Sequence, residues 1–236
     1  MWGMNIMFDL NDVNSILDSL SEEYLCFASE AHFQLMFAFE ANKQFGEKYL
    51  FYPEWPCNAE IGNKKDHIDL MIVDENKEKT FIEFKYKTRK GCTYTLPPDV
   101  KITPSNMGAR SIAKYDCWKD IQRLEKHVDN REASNAFFIF LTNDPLYWKE
   151  RNASEVYGDD FSMEDGNHSS KPKRWKDADK VEKAIGEKRK DPIITKDYNF
   201  EYTPYSKTED DKKAGEFKVL VVDIKSEDYC RKSLSF

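Results

Sequence analysis

Two acidic residues and one lysine lie in two short apolar stretches that are close together in the chain. Asp69 lies in the stretch 68–73, and Glu83 and Lys85 lie in the stretch 80–87. Side chains alternate between the two faces of a strand, so Glu83 and Lys85 are expected to point to the same face. A carboxylate is costly to bury among apolar residues unless it has a partner. The pattern therefore favours a functional role for both acids.

The polar turn 74–77 lies between the two stretches, and this spacing predicts a β-hairpin that brings Asp69 to the same place as Glu83. Two converging carboxylates form a hard oxygen site for Mg²⁺, with Mn²⁺ as the alternative ion. Their mutual repulsion makes the cation part of the site. Lys85 would position or deprotonate an attacking water and offset charge on a phosphate in the transition state.

This pattern resembles the PD-(D/E)XK nuclease superfamily, which includes many restriction endonucleases and repair nucleases. The resemblance rests on HIDLMI at 67–72, on FIEFKYK at 81–87 and on the order of the elements around them. It covers residues 29 to 143. The proline of the family motif is Ile68 in this chain.

The resemblance implies a restriction-endonuclease-like core that hydrolyses DNA phosphodiester bonds with Mg²⁺. Asp69 and Glu83 would be the metal ligands, and Lys85 would assist hydrolysis. A compact restriction-type or defence endonuclease is the subtype that this implies. Two alternatives stay open. The same fold could be a binding module for nucleic acid or a protein without catalysis, or the motif could occur by chance in an unrelated α/β protein.

The family often takes a further acidic residue or a glutamine from the helix before the sheet. Glu30 is the first candidate for this catalytic position, and Gln34 lies four residues on, on the same helical face. Glu40 is the alternative. The resemblance therefore implies that Glu30 faces the cleft between Asp69 and Glu83.

Several basic or polar residues near the motif are candidates for contact with nucleic acid, although solvated surface positions would explain them equally simply. They belong to the helix 29–45, the two motif strands or the predicted helix 110–128. The candidates are Gln34, His67, Lys87, Arg110, Lys119 and Arg123. The stretch 171–175 also combines basic residues with a tryptophan, which suits nucleic acid, but a solvated loop is the favoured interpretation.

Apolar periodicity predicts an α/β fold, in which a central mixed sheet is flanked by helices. Prolines at positions 53 and 56 predict the end of the first strand, and those at 97, 98 and 104 argue against regular structure in 88–107. The predicted helices are 11–20, 29–45 and 110–128, and the predicted strands are 49–55, 68–73, 80–87, 136–142, 198–205 and 216–225. The run 136–141 is wholly apolar, which predicts a strand that is covered on both faces.

The order of elements predicts three segments. Residues 1–28 form an N-terminal helical segment and residues 29–147 form the nuclease core. Residues 148–236 form a C-terminal extension with an insertion loop and additional strands packed on the core. The polar stretch 150–190 is longer than most loops of compact domains, so it predicts a functional insertion.

The composition narrows the class of protein. A net charge of −7 argues against nonspecific coating of nucleic acid, but it permits a nuclease whose basic residues are clustered locally. The five cysteines show no zinc-site or disulfide spacing. No apolar run approaches the ~18 residues of a membrane span, and no signal peptide is visible. We therefore expect a cytoplasmic protein that binds nucleic acid, and a homodimer if it cuts both strands.

Overall fold

The structure is a computed structural model that describes residues 7–57, 66–91, 93–96, 99–107, 109–149, 159–185, 189–207 and 214–226. Four helices and ten strands lie within these ranges. The helices are α1 (Leu10–Glu23), α2 (Glu30–Phe45), α3 (Arg110–Asp129) and α4 (Ala178–Ile185). The strands are β1 (Tyr49–Cys57), β2 (Asp66–Asp74), β3 (Lys79–Lys87), β4 (Tyr94–Leu96), β5 (Val100–Ile102), β6 (Asn135–Thr142), β7 (Gly166–His168), β8 (Tyr198–Phe200), β9 (Tyr202–Lys207) and β10 (Glu216–Lys225).

Six of these strands form one sheet in the order β1-β2-β3-β6-β10-β9. β3 and β6 are parallel, and the other neighbouring strands are antiparallel. Two small hairpins, β4–β5 and β7–β8, lie outside this sheet. The prediction of an α/β fold with a mixed sheet flanked by helices is confirmed. No helix in the described ranges is long and apolar enough to cross a bilayer.

The sheet is covered on both faces, which follows from the alternation of side chains along its central strands. On one face, Phe84 of β3 packs against Phe33 and Phe37 of α2, with ring centroids 5.2 and 5.0 Å apart. On the other face, Phe81 packs in the cluster that contains Trp118 of α3. Every residue of β6 is buried, as the apolar run predicts.

The first strand extends beyond its predicted end, because β1 continues through Pro53 and Pro56 to Cys57. β1 is an edge strand of the six-stranded sheet. One side of an edge strand carries no ladder, so it tolerates residues that lack an N–H. Glu54 has a positive φ of 52° and lies between the pairs that join Pro53 and Trp55 to β2.

The prediction that 88–107 contains no regular structure is wrong in one respect, since β4 and β5 form a short antiparallel hairpin there. Pro97 and Pro98 lie between the two strands and outside the described residues. Pro104 follows β5 and is buried. The prolines mark the boundaries of short strands and do not exclude them.

The C-terminal strands of the predicted extension 148–236 belong to the same sheet as the strands of the predicted core 29–147. β10 pairs with β6, and β9 pairs with β10. The predicted strand 198–205 is divided at Glu201, because β8 pairs with β7 instead. The N-terminal helix α1 likewise contributes Val13 and Ile16 to the core beside α2.

The polar stretch 150–190, for which the sequence predicts a functional insertion, includes residues that pack against α3. Within its described part, Lys173 is 2% exposed and its Nζ lies 4.0 Å from the ring centroid of Trp118. Trp175 stacks on Tyr115. Lys173 and Trp175 are therefore buried and serve packing, whereas Lys171, Pro172 and Arg174 of the basic and aromatic motif 171–175 are exposed. The described cysteines, Cys26, Cys57 and Cys117, form no disulfide with one another; the other two, at 92 and 230, lie outside the described residues.

The packing of α2 on β3 predicts contrasting effects for two phenylalanines of the same helix. Phe33 is fully buried, whereas Phe39 is 61% exposed. Phe33→Ala should lower the free energy of unfolding by about 3–5 kcal/mol, because it leaves a cavity against Phe84. Phe39→Ala should change it by less than ~0.5 kcal/mol. Urea denaturation measures both, and equal losses would contradict this packing.

Candidate active site

The site begins where β2 separates from β3. The register of these two strands ends at the pair formed by Leu70 and Ile82, and Asp69 is the next residue of β2. Asp69 Oδ2 accepts the backbone N–H of Phe84 at 2.8 Å. The carboxylate therefore takes the place of a backbone carbonyl in the ladder. This contact holds Asp69 against β3, since an unpaired buried N–H is costly.

A second carboxylate occupies the next position of the same ladder. Glu30, the first residue of α2, accepts the backbone N–H of Tyr86 through Oε2 at 2.8 Å. Phe84 and Tyr86 are two residues apart on β3, so their N–H groups point to the same side of the strand. Ser29 caps α2 and fixes the position of its first turn. These backbone hydrogen bonds thus place Glu30 and Asp69 at successive positions along the same edge of β3.

The alternative helical residue, Glu40, lies elsewhere. It is buried, and it accepts hydrogen bonds from Lys43 at 2.9 Å and Gln44 at 2.8 Å. Gln44 in turn bonds to Ser15 and so ties Glu40 to the contact with α1. Gln34 is half-buried four residues after Glu30. Of the two glutamates, the structure brings Glu30 to the motif strands.

Lys85 lies between carboxylates from both faces of the sheet. Its Nζ is 2.8 Å from Asp120 Oδ2 and 4.0 Å from Glu30 Oε1. Asp120 belongs to α3, and the sequence interpretation did not select it. The signal was present, because Asp120 is a charged residue on the helical stripe formed by Cys117, Ile121 and Leu124, all of which are buried.

Glu83 is the most deeply buried carboxylate of the site, with only 1% exposure. Its Oε2 lies 2.6 Å from Nη2 of Arg123, which is also 3.4 Å from Asp120 Oδ1. Its other oxygen, Oε1, is buried and has no hydrogen-bond partner among the described residues. One oxygen of the Glu83 carboxylate is therefore paired with an arginine, and the other is an unpaired buried acceptor.

Six ionisable side chains make up this acidic cluster, and their formal charges sum to −2 because four are acids and two are bases. They are Glu30, Asp69, Glu83, Lys85, Asp120 and Arg123. Burial raises the pKa of Asp69 to about 6, and the N–H of Phe84 and the charge of Lys85 offset this only in part. Burial also raises the pKa of Glu83 well above its usual range, although Arg123 acts in the opposite direction.

The chemistry of the acidic cluster fits a hard divalent cation. No three His, Cys, Asp or Glu side chains in the described ranges form a ready ligand group. Mg²⁺, however, commonly binds through one or two carboxylates and keeps several waters. Asp69 and Glu83 supply such carboxylates, and Oε1 of Glu83 is a buried acceptor without a hydrogen-bond partner among the described residues. The excess charge of the cluster equals that of one divalent ion.

The remaining predicted contact residues have diverse surroundings. His67 and Lys119 are exposed. Lys87 is half-buried, two residues after Lys85 and on the same face of β3. Arg110 donates through Nε to Asp144 at 2.6 Å. Arg123 is the one predicted contact residue that the structure brings into the acidic cluster, and there it binds Glu83.

Comparison with known proteins adds no family assignment. No protein-family model, no curated protein and no solved structure matches this chain. The resemblance of the motif strands to PD-(D/E)XK nucleases therefore stays a prediction.

The raised pKa of Asp69 predicts a pH dependence of stability in metal-free protein. The folded state keeps the Asp69 proton up to about pH 6, whereas an unfolded aspartate releases it near pH ~4. Between these values the folded state binds more protons, so this group makes the free energy of unfolding fall as the pH rises. Asp69→Asn removes that contribution, because an amide does not titrate.

Urea denaturation in EDTA between about pH 4 and 7 measures the effect. The unfolding free energy of wild type relative to Asp69→Asn should fall up to about pH 6 and then level off. Asp18→Asn, at an exposed position of α1, is the matched control for loss of a carboxylate. A wild-type curve parallel to that of Asp69→Asn would contradict the raised pKa.

Proposed function

We propose that this chain is a Mg²⁺-dependent nuclease that hydrolyses DNA phosphodiester bonds, on a restriction-endonuclease-like core of the PD-(D/E)XK type. The observation that carries the proposal is the meeting of Asp69, Glu83 and Lys85 at the end of the β2–β3 pairing, with an open, buried carboxylate oxygen on Glu83. A divalent cation there would neutralise the excess charge of the acidic cluster. Mn²⁺ is the alternative ion.

Asp69 and Glu83 are the residues that would hold the ion. When bound, Mg²⁺ supplies Lewis-acid chemistry at a phosphate and favours ionisation of water. The N–H of Phe84 fixes Asp69 in one orientation, so little reorganisation is needed when a cation arrives. Such preorganisation is the main way in which a protein contributes to charge stabilisation in the transition state.

Lys85 acts as a permanent cation in this proposal. Burial favours its neutral form, but Asp120 and Glu30 outweigh burial and raise its pKa above the usual value. Lys85 therefore stays protonated at neutral pH and is unsuited to act as a base. Of the two roles that the sequence allows, the contacts favour orienting water and stabilising charge on the phosphate.

Glu30 is the carboxylate best placed to receive a proton from water. One of its oxygens is occupied by the N–H of Tyr86, and the other lies 4.0 Å from Lys85. Its side chain is 33% exposed, so solvent reaches it. Acceptance of a proton by a positioned carboxylate commonly contributes about 10²–10⁴-fold in rate.

A binding module on the same fold is the second candidate function. The ion pair between Glu83 and Arg123 favours it, because a site that has lost its metal could keep a protein cation in its place. In that case the cations of the strand end, Lys87, Arg89 and Lys90, would bind phosphate without cleavage. Cleavage assays separate the two functions.

Supercoiled plasmid, linear duplex and single-stranded DNA, each with Mg²⁺, Mn²⁺ or EDTA, test the proposal directly. Wild type should cleave in a metal-dependent manner. Lys85→Ala should lose about 10²–10³ in rate without weaker Mg²⁺ binding, since Lys85 acts on water and phosphate. Asp69→Ala should lose both cleavage and metal binding.

Lys79→Ala is the matched control, because Lys79 lies on the same strand and face as Lys85 but is exposed. It should cleave like wild type. Near-UV circular dichroism checks that each variant is folded. Equal cleavage by wild type and Lys85→Ala would show that the motif is not the active site. DNA binding by wild type without cleavage under any metal would support the binding module.

A further inference from the structure

The positive charge beside Glu83 is the guanidinium group of Arg123. Nη2 of Arg123 is shared between two carboxylates, at 2.6 Å from Glu83 and 3.4 Å from Asp120. Arg123 and Asp120 both lie on α3, three residues apart, whereas Glu83 lies on β3. The contact with Asp120 is therefore local to the helix, and Arg123 can leave Glu83 without losing every acceptor.

The charged form of Glu83 needs a cation in metal-free protein, because the side chain is nearly inaccessible to water. Removing one partner of a buried ion pair is strongly destabilising, since the remaining charge is left uncompensated. Arg123 meets this need through one oxygen only, and the other oxygen stays open. Its pairing thus stabilises the fold while one oxygen of Glu83 keeps no hydrogen-bond partner among the described residues.

A divalent cation and the guanidinium group compete for the same carboxylate. Both are positive, and a cation bound to Glu83 would lie close to Nη2 of Arg123 in a buried environment, where like charges repel strongly. Lys85 already occupies the other oxygen of Asp120, at 2.8 Å. Oδ1 of Asp120 is therefore the acceptor toward which Arg123 would move.

We propose that Arg123 is the built-in counter-ion of the metal centre: it pairs with Glu83 while no metal is bound, and it exchanges Glu83 for Asp120 when a divalent cation binds. The inference rests on the metal-dependent function proposed above. It assigns to Arg123 a positioning role that regulates metal loading. The affinity for metal is then lower than the carboxylates alone would allow, because part of the binding free energy is used to displace the guanidinium.

The role of Arg123 is tested by whether its replacement raises or lowers the affinity of the protein for Mn²⁺. Isothermal titration of the full chain with Mn²⁺ should show binding about tenfold tighter in Arg123→Gln than in wild type, a factor typical of coupling between two ligands. A residue that merely orients Glu83 for the metal would give weaker binding in the variant. In EDTA, Arg123→Gln should melt at a lower temperature than wild type, and saturating Mn²⁺ should remove most of that difference.

Arg110→Gln is the matched control, because Arg110 also lies on α3 and binds a carboxylate at 2.6 Å, but outside the acidic cluster. It should bind Mn²⁺ with wild-type affinity. An equal gain in Arg110→Gln would show an effect of net charge and overturn the role of Arg123. Unchanged or weaker binding in Arg123→Gln, with wild type binding normally, would overturn the inference and leave the metal site intact.

Two further outcomes are decisive. If neither wild type nor Arg123→Gln binds Mn²⁺, the proposed metal function fails together with the inference. If Arg123→Gln does not fold in EDTA, recovery of its folded circular dichroism signal by Mn²⁺ supports the exchange. Arg123→Lys then gives the affinity measurement, because it keeps the charge but lacks the guanidinium group whose Nη2 lies between the two carboxylates. No recovery, together with wild-type affinity in Arg123→Lys, overturns the inference.

Discussion

Beyond Ile82, the edge of β3 that faces β2 pairs with no strand of the described residues, and its backbone N–H groups must find other acceptors. Carboxylates meet this requirement, since Asp69 accepts from Phe84 and Glu30 accepts from Tyr86. These hydrogen bonds fix the orientation of two acidic side chains at the end of β3 that is not paired with β2. The rest of the candidate site depends on these two carboxylates, which accept the hydrogen bonds that a neighbouring strand would otherwise accept.

Carboxylates that lie close together repel one another. The packing of β3 and two nearby cations offset this cost. The aromatic packing of α2 on Phe84 and the packing of α3 on the other face keep β3 rigid. Lys85 and Arg123 then offset two of the four negative charges. Burial, together with a smaller contribution from the neighbouring carboxylates, still raises the pKa of Asp69 and Glu83. Such stored electrostatic cost is typical of functional sites.

The local features of the site could be predicted from the sequence. Strand alternation places Glu83 and Lys85 on one face, and the turn 74–77 forms the hairpin that brings Asp69 near them. The face of α2 that buries Phe33 was equally visible from its spacing. These features depend on neighbours a few residues away, so a pattern of residue types determines them.

The long-range features could not be predicted in the same way. Periodicity shows that α3 buries a stripe, but it does not show that Asp120 and Arg123 meet the motif strand there. Nor does it show that β10, almost 80 residues after β6, pairs with that strand. The prediction that prolines end the first strand was wrong, because the effect of a proline depends on whether its strand lies at a sheet edge. Each of these outcomes is set by tertiary contacts.

Anomalous diffraction from crystals soaked in Mn²⁺ tests the metal centre most directly. The proposed metal centre predicts one strong peak between the Asp69 and Glu83 carboxylates, about 2.1 Å from an oxygen of each, a distance typical of a small divalent cation. A peak elsewhere, or none at saturating Mn²⁺ while Arg123 stays on Glu83, would contradict it.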